Sequence, residues 1–226
     1  MADATPVIAN IGNIIAAIAA LGTASMGLVD ALKVLGRLGP SNIGFADIRT
    51  QLTPFLPQQA VGAYNFDMLL QTLRANWING VDKSQQKAKA KSLIHLGLSK
   101  GNAARLAAAA GVDPDALESV AAKSAAGATA TTQELNVVGQ FDAILSAVLD
   151  AAYERADQRY RNGCKALATA IAVALSLVAA HFIGADLILA LVAGVAAVPL
   201  APVSKDLVTS LQAAAAAIQK TNRVKV

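Results

Sequence analysis

The chain has 226 residues, of which 55% are hydrophobic and only 15% charged, with a net charge of +4 and a mean hydropathy of +0.48. The small net charge gives no reason to expect nucleic acid as a partner. The single cysteine, Cys164, excludes an internal disulfide framework and a multi-cysteine metal site. The apolar excess is mostly alanine, the best helix former, so an all-α chain is expected.

Three stretches carry no Asp, Glu, Lys or Arg: residues 4–29, 166–185 and 187–204. A helix needs about 20 mostly apolar residues to cross a bilayer, and all three windows are long enough. The first contains Asn10 and Asn13, one turn apart, as hydrogen-bonding glue between helices or the lining of a narrow polar constriction. It also contains small residues at every fourth position, Gly12, Ala16, Ala20 and Ala24, and a second row of Ala19, Thr23 and Gly27. Such rows let helix backbones approach closely in lipid. The leader "MADATP" has no basic residue, so an uncleaved anchor is expected rather than a secretory signal.

Residues 31–162 read as a set of helices. "SNIGFADIRTQLTPFL" stops at Pro54 or Pro57. "AVGAYNFDMLLQTLRANWING" places Phe66, Leu69, Leu70, Leu73 and Trp77 at helical spacing and ends at Asn79-Gly80. Asp82 can cap "KSQQKAKAKSLIHLGL", whose Lys83, Lys87 and Lys91 form one basic face, directed either to anionic lipid head groups or to water. "GNAARLAAAAG" and "DPDALESVAAKSAAG" form a helical pair, with Asp113 as N-cap and Pro114 at the first helical position. The pair outlines a helix-turn-helix, but the second helix carries Asp115, Glu118 and one Lys, which is unsuited to phosphates. A plain helical hairpin is therefore expected, and no nucleic acid.

"TTQE" at 131–134 reads as a capping box closed by Glu134. It opens a helix that continues into the second window. Arg155, Arg159, Arg161 and Lys165 would collar that helix on the cytoplasmic side. Arg155, Asp157, Arg159 and Arg161, beside Asp150 and Glu154, suggest a charge network that joins subunits. Gly184 and Asp186 make a hairpin turn, with Asp186 solvated at its outer end and His181 interfacial. Ala166, Ala170 and Ala174, then Ala190 and Gly194, continue the small-residue spacing. Pro199 and Pro202 end or kink the third span. "SKDLVTSLQAAAAAIQK" resumes as an amphipathic helix with Leu207, Leu211 and Ala214 on one face.

All 19 Lys and Arg fall at 33–165 (15 residues) or 205–225 (4 residues). The positive-inside rule then gives one topology, with the N-terminus outside, three spans and both basic segments in the cytoplasm. The expected organisation is an N-terminal transmembrane helix (1–30), a cytoplasmic helical region (31–162), a two-helix transmembrane hairpin (163–204) and a cytoplasmic C-terminal helix and tail (205–226).

No catalytic signature emerges. "GRLGPSNIG" lacks the Lys-Ser/Thr end of a phosphate loop, His95 and His181 lie far apart, and Cys164 has no evident histidine partner. No cofactor, metal or small-molecule substrate is expected.

Five stretches resemble a family of bacterial helical inner-membrane proteins for which no activity is established. They are "LRANWINGV" (73–81), "QKAKAKSLI" (86–94), "FD" (141–142), "RADQRYRNGCK" (155–165) and "PLAPVSKDL" (199–207). The resemblance implies a protein of the bacterial cytoplasmic membrane with a terminal hairpin, and it brings no functional residues. The expected function is non-enzymatic. It is a homo-oligomeric membrane scaffold, with Gly12, Ala16, Ala20, Gly27 and Gly194 at helix contacts and membrane lipids as the surroundings. The alternative is an oligomeric pore with Asn10 and Asn13 near its mouth. A weaker third reading is a regulator acting through the hairpin at 101–127.

Overall fold

A computed structural model describes residues 5–32, 39–57 and 65–223; side chains are described for 10–32, 39–57, 65–204 and 206–214. Among these residues every regular element is helical. The helices are α1 (Thr5–Leu32), α2 (Pro40–Leu52), α3 (Phe66–Ile78), α4 (Lys83–Leu96), α5 (Lys100–Ala110), α6 (Pro114–Ala126), α7 (Thr132–Ile183), α8 (Leu187–Leu200) and α9 (Ser204–Arg223), with a 3₁₀ turn at Thr53–Phe55. The chain divides into two compact units, residues 34–161 and residues 1–33 with 162–226. The beginning of the expected third helix, at residues 60–64, lies outside the described residues.

The helix boundaries of the 34–161 unit follow local chemistry. Pro40 occupies the start of α2, where its missing N–H costs nothing. Asn65 caps α3 by accepting from Met68 N at 2.9 Å. Asp82 and Asp113 cap α4 and α6, accepting from Ser84 N at 2.8 Å and Asp115 N at 2.9 Å. The capping box is reciprocal. Glu134 Oε2 accepts from Thr131 N at 2.6 Å, while Thr131 Oγ1 accepts from Glu134 N at 3.3 Å.

The core of this unit is built on one face of α7, where Phe141, Leu145, Leu149, Tyr153 and Ala156 recur every three or four residues and are buried. Ile48 and Leu52 of α2, Leu69 and Leu73 of α3, Ile94 of α4, Leu106 of α5 and Leu117 of α6 close around it. Gly44 makes the tightest approach. A Cβ there would lie 2.8 Å from the Ala156 carbonyl oxygen and 2.9 Å from the Trp77 ring. The indole N–H of Trp77 donates to the Ser41 carbonyl at 2.8 Å, which satisfies its polar edge inside an aromatic cluster with Tyr153 and Tyr160. Burial pushes the Tyr153 hydroxyl up to about 12.

In the other unit, α1 packs along α8 and α9. Residues 162–183 of α7 pack against α8 through a small cluster that includes Ala168, Ala172, Ala197 and Val198. The expected third span is cut short. α8 has only 14 residues, a rise of about 21 Å against a hydrocarbon core of about 30 Å. The cause lies in the prolines: Pro199 sits in the last turn of α8, and the chain turns through Ala201–Val203 before α9 begins at Ser204.

Candidate membrane-facing unit

Among the described residues, two helices are long and apolar enough to cross a membrane by length and composition. They are the segment Asn10–Leu32 of α1 and α7, whose apolar windows are 22% and 17% buried. A helix in the core of a soluble protein would be mostly buried, whereas these leave large apolar side chains in the open. Ile11, Ile14 and Leu28 are exposed on α1, Leu175 and Val178 on α7, and Leu191, Val192 and Val195 on α8.

The small residues divide into two groups with different tasks. The inward face of α1 is Ala19, Gly22, Ser25 and Val29, all buried. Gly22 is the closest contact. A Cβ there would lie 2.1 Å from the Ala197 carbonyl oxygen and 2.5 Å from its carbon. Ser25 spends its hydroxyl on the Leu21 carbonyl at 2.8 Å, so it can be buried without an orphaned donor. Gly194 is also a packing glycine, but within the chain. A Cβ there would meet Val173 Cα at 2.6 Å and Ser176 Oγ at 2.6 Å. The row expected to join helices lies elsewhere: Ala16 and Ala20 are exposed, Gly12 is half-buried, and nothing stands within 4 Å of a Cβ at Gly12 or Gly27. Asn10 and Asn13 are exposed as well. Sequence reasoning missed Gly22 because any of several small-residue rows on α1 could have been the inner one.

The hairpin turn follows the expected design. Gly184 takes a φ of +67°, which residues with a Cβ rarely adopt. Asp186 caps α8 by accepting from Ile188 N at 2.6 Å and Leu189 N at 3.1 Å.

The lysine face, read as turned to lipid head groups or water, has partners inside the 34–161 unit. Lys83 pairs with Asp157 at 2.8 Å, Lys87 with Asp150 at 2.6 Å and Lys91 with Asp142 at 2.6 Å. Lysines four apart on α4 share a face, and α7 presents carboxylates to that face. His95 continues the ladder, 2.9 Å from the other oxygen of Asp142. Lys91 and then His95 hold the Asp142 carboxyl below its ordinary range. Burial pushes Asp157 up, but Lys83 and Arg161 outweigh it and leave the group lowered. Pairs as exposed as these contribute about 0–1 kcal/mol each, so the ladder fixes the position of α4 on α7 more than it stabilises the fold.

The charge network expected between subunits makes contacts within the chain. Arg161 pairs with Asp157 at 3.0 Å, four residues back on the same helix, and Arg159 reaches Asp47 of α2 at 3.0 Å. Arg155 is exposed. Cys164 is half-buried beside the small cluster of its unit.

Among the described residues, Glu134 is the most strongly held carboxylate. Lys123 donates to both its oxygens at 2.8 and 2.7 Å, and Ser119 adds a bond of 2.6 Å. Lys123 first, then Ser119 and the Thr131 N–H, bring its pKa from 4.5 down to about 2. A depressed carboxylate stabilises the fold above its unfolded value, and that contribution is lost as pH falls from 4.5 toward 2. Unfolding followed by the fluorescence of the single tryptophan, Trp77, should therefore show a loss of stability across that interval, and a shallower one in Glu134→Gln. Equal slopes would mean that the bridge between α6 and α7 does not persist in solution.

Comparison with protein-family models, with curated proteins and with solved structures found no match to this chain.

Proposed function

We propose that the protein is a non-enzymatic, self-assembling component of the bacterial cytoplasmic membrane, a scaffold built from many copies. Its N-terminus lies outside, and the 34–161 unit and C-terminus lie in the cytoplasm. The observation that carries this reading is the division of labour on α1. The chain uses Gly22 for its own packing and leaves Ala16 and Ala20 exposed, with nothing among the described residues within 4 Å of a Cβ at Gly12. In lipid, association is driven by close packing of such faces rather than by transfer from water. The positive-inside distribution supports the orientation. Ion pairing of Lys83, Lys87 and Lys91 within the chain leaves lipid contact to the apolar helices.

The test is the mass and shape of the particle extracted in mild detergent, by light scattering and electron microscopy. Many copies per particle are expected, with fewer in Gly12→Leu. A monomer in the wild type would overturn the assembly reading. The exposed Asn10 and Asn13 favour the pore as the second reading, and ion flux in reconstituted vesicles separates the two, because a scaffold conducts none.

A further inference from the structure

We propose that the α7–α8 hairpin ends inside the membrane, its tip held in the far lipid leaflet instead of emerging into water as a loop. The inference rests on the membrane reading given above and adds to it the depth of one element.

The first support is length. From Lys165, the last charged residue before the hairpin, α7 runs to Ile183 and the turn begins at Gly184. That gives a reach of about 28 Å, slightly less than the roughly 30 Å of a hydrocarbon core, so the turn comes at the far edge of the core and not beyond it. The second arm is shorter still, with α8 ending at Leu200.

The second support is the chemistry of the tip. Phe182 is 82% exposed and Ile183 78%, and across the turn Ile188 is 75% and Leu189 69% exposed. These side chains point away from the small cluster that joins the two arms. A loop that stood in water would leave five large apolar groups, Leu187 included, exposed to it. Acyl chains are the solvent that suits them.

The third support is the backbone. Irregular backbone survives in lipid only when its N–H and C=O groups are satisfied within the protein. Here Ala185 N donates to the Ala180 carbonyl at 2.9 Å, and Ala190 N to the Asp186 carbonyl at 3.0 Å. The Asp186 carboxylate takes the N–H groups of Ile188 and Leu189, the second and third of α8. The only charge at the tip is thus occupied with capping, at a depth where it can still meet the interface. Asp186, read from sequence as a solvated outer residue, becomes the polar pin of an embedded turn.

Three single-cysteine variants in a Cys164→Ser background test the proposal in sealed vesicles, with a membrane-impermeant maleimide loaded on both faces. Ser124→Cys on α6 serves as the aqueous reference, Leu175→Cys as the mid-membrane reference and Ile183→Cys as the tip, each normalised to labelling in denaturing detergent. Leu175→Cys and Ile183→Cys are both expected to label about an order of magnitude or more slowly than Ser124→Cys, as for side chains in hydrocarbon. Ile183→Cys labelling as fast as Ser124→Cys, with Leu175→Cys still protected, would overturn the embedded tip and leave the membrane reading standing. Fast labelling of Leu175→Cys would overturn both.

Discussion

Gly22→Leu is expected to separate α1 from α8 and α9 and to be the most damaging single change in the unit of residues 1–33 and 162–226. The argument is steric. A Cβ at this position would sit 2.1 Å from the Ala197 carbonyl oxygen, so no choice of rotamer relieves the clash and the two backbones must move apart. Overpacking of this kind costs about 1–3 kcal/mol, and more where backbone must shift. Even Gly22→Ala should show much of the effect. Gly12→Leu is the contrasting change. Nothing lies within 4 Å of a Cβ there, so the unit should keep its stability to within about 0.5 kcal/mol while the assembled particle shrinks. Thermal unfolding in mild detergent, read beside particle mass, distinguishes the two. If Gly12→Leu proved as destabilising as Gly22→Leu, the inward and outward faces of α1 would be misassigned.

Phe141→Ala is expected to have the largest effect on the 34–161 unit, a loss of about 3–5 kcal/mol. Phe141 is fully buried. It lies on the face of α7 that forms the core, and its ring stands perpendicular to that of His95 at a centroid distance of 5.7 Å. Truncation would therefore open a cavity and also loosen the α4 ladder, whose His95 and Lys91 both meet Asp142. Trp77 is the only tryptophan and lies in this unit, so its fluorescence follows this unit's unfolding. The Trp77 transition should move to lower temperature in Phe141→Ala. A shift smaller than that of a conservative core change such as Leu145→Met would mean that the core is less tightly packed around α7 than the structure indicates.

The two substitutions also show which kind of information was available from the chain. Helix ends were legible because their signals are local. Asp82, Asp113 and the Thr131–Glu134 box cap the helices they were expected to cap. Gly184 and Asp186 form the expected turn. Each involves groups two to four residues apart, so backbone geometry alone brings them together. The helical class was legible for a similar reason, since alanine-rich composition favours the helix wherever it is placed. Continuity of α7 from Thr132 to Ile183 was readable as well, because no proline lies between them and the glycines at 139 and 163 are tolerated singly.

Partner choice across the fold could not be read in this way. Lys83, Lys87 and Lys91 form a basic face by spacing alone, but whether it meets lipid, water or Asp157, Asp150 and Asp142 depends on which helix lies opposite. Arg159 and Arg161 could bridge subunits or stay within the chain, and Asp47 lies more than a hundred residues from Arg159. Small residues on α1 are plentiful enough to form several rows, and only the position of Ala197 selects Gly22 as the inner contact. The length of α8 depended on how far the helix runs past Pro199 before Pro202 turns it. The sequence by itself determined the helices, their caps and the sorting of charge to two segments, all of which arise from interactions within a few residues. Tertiary structure alone decided which faces are spent inside the chain and which remain outward, because that choice rests on contacts between residues far apart in the sequence.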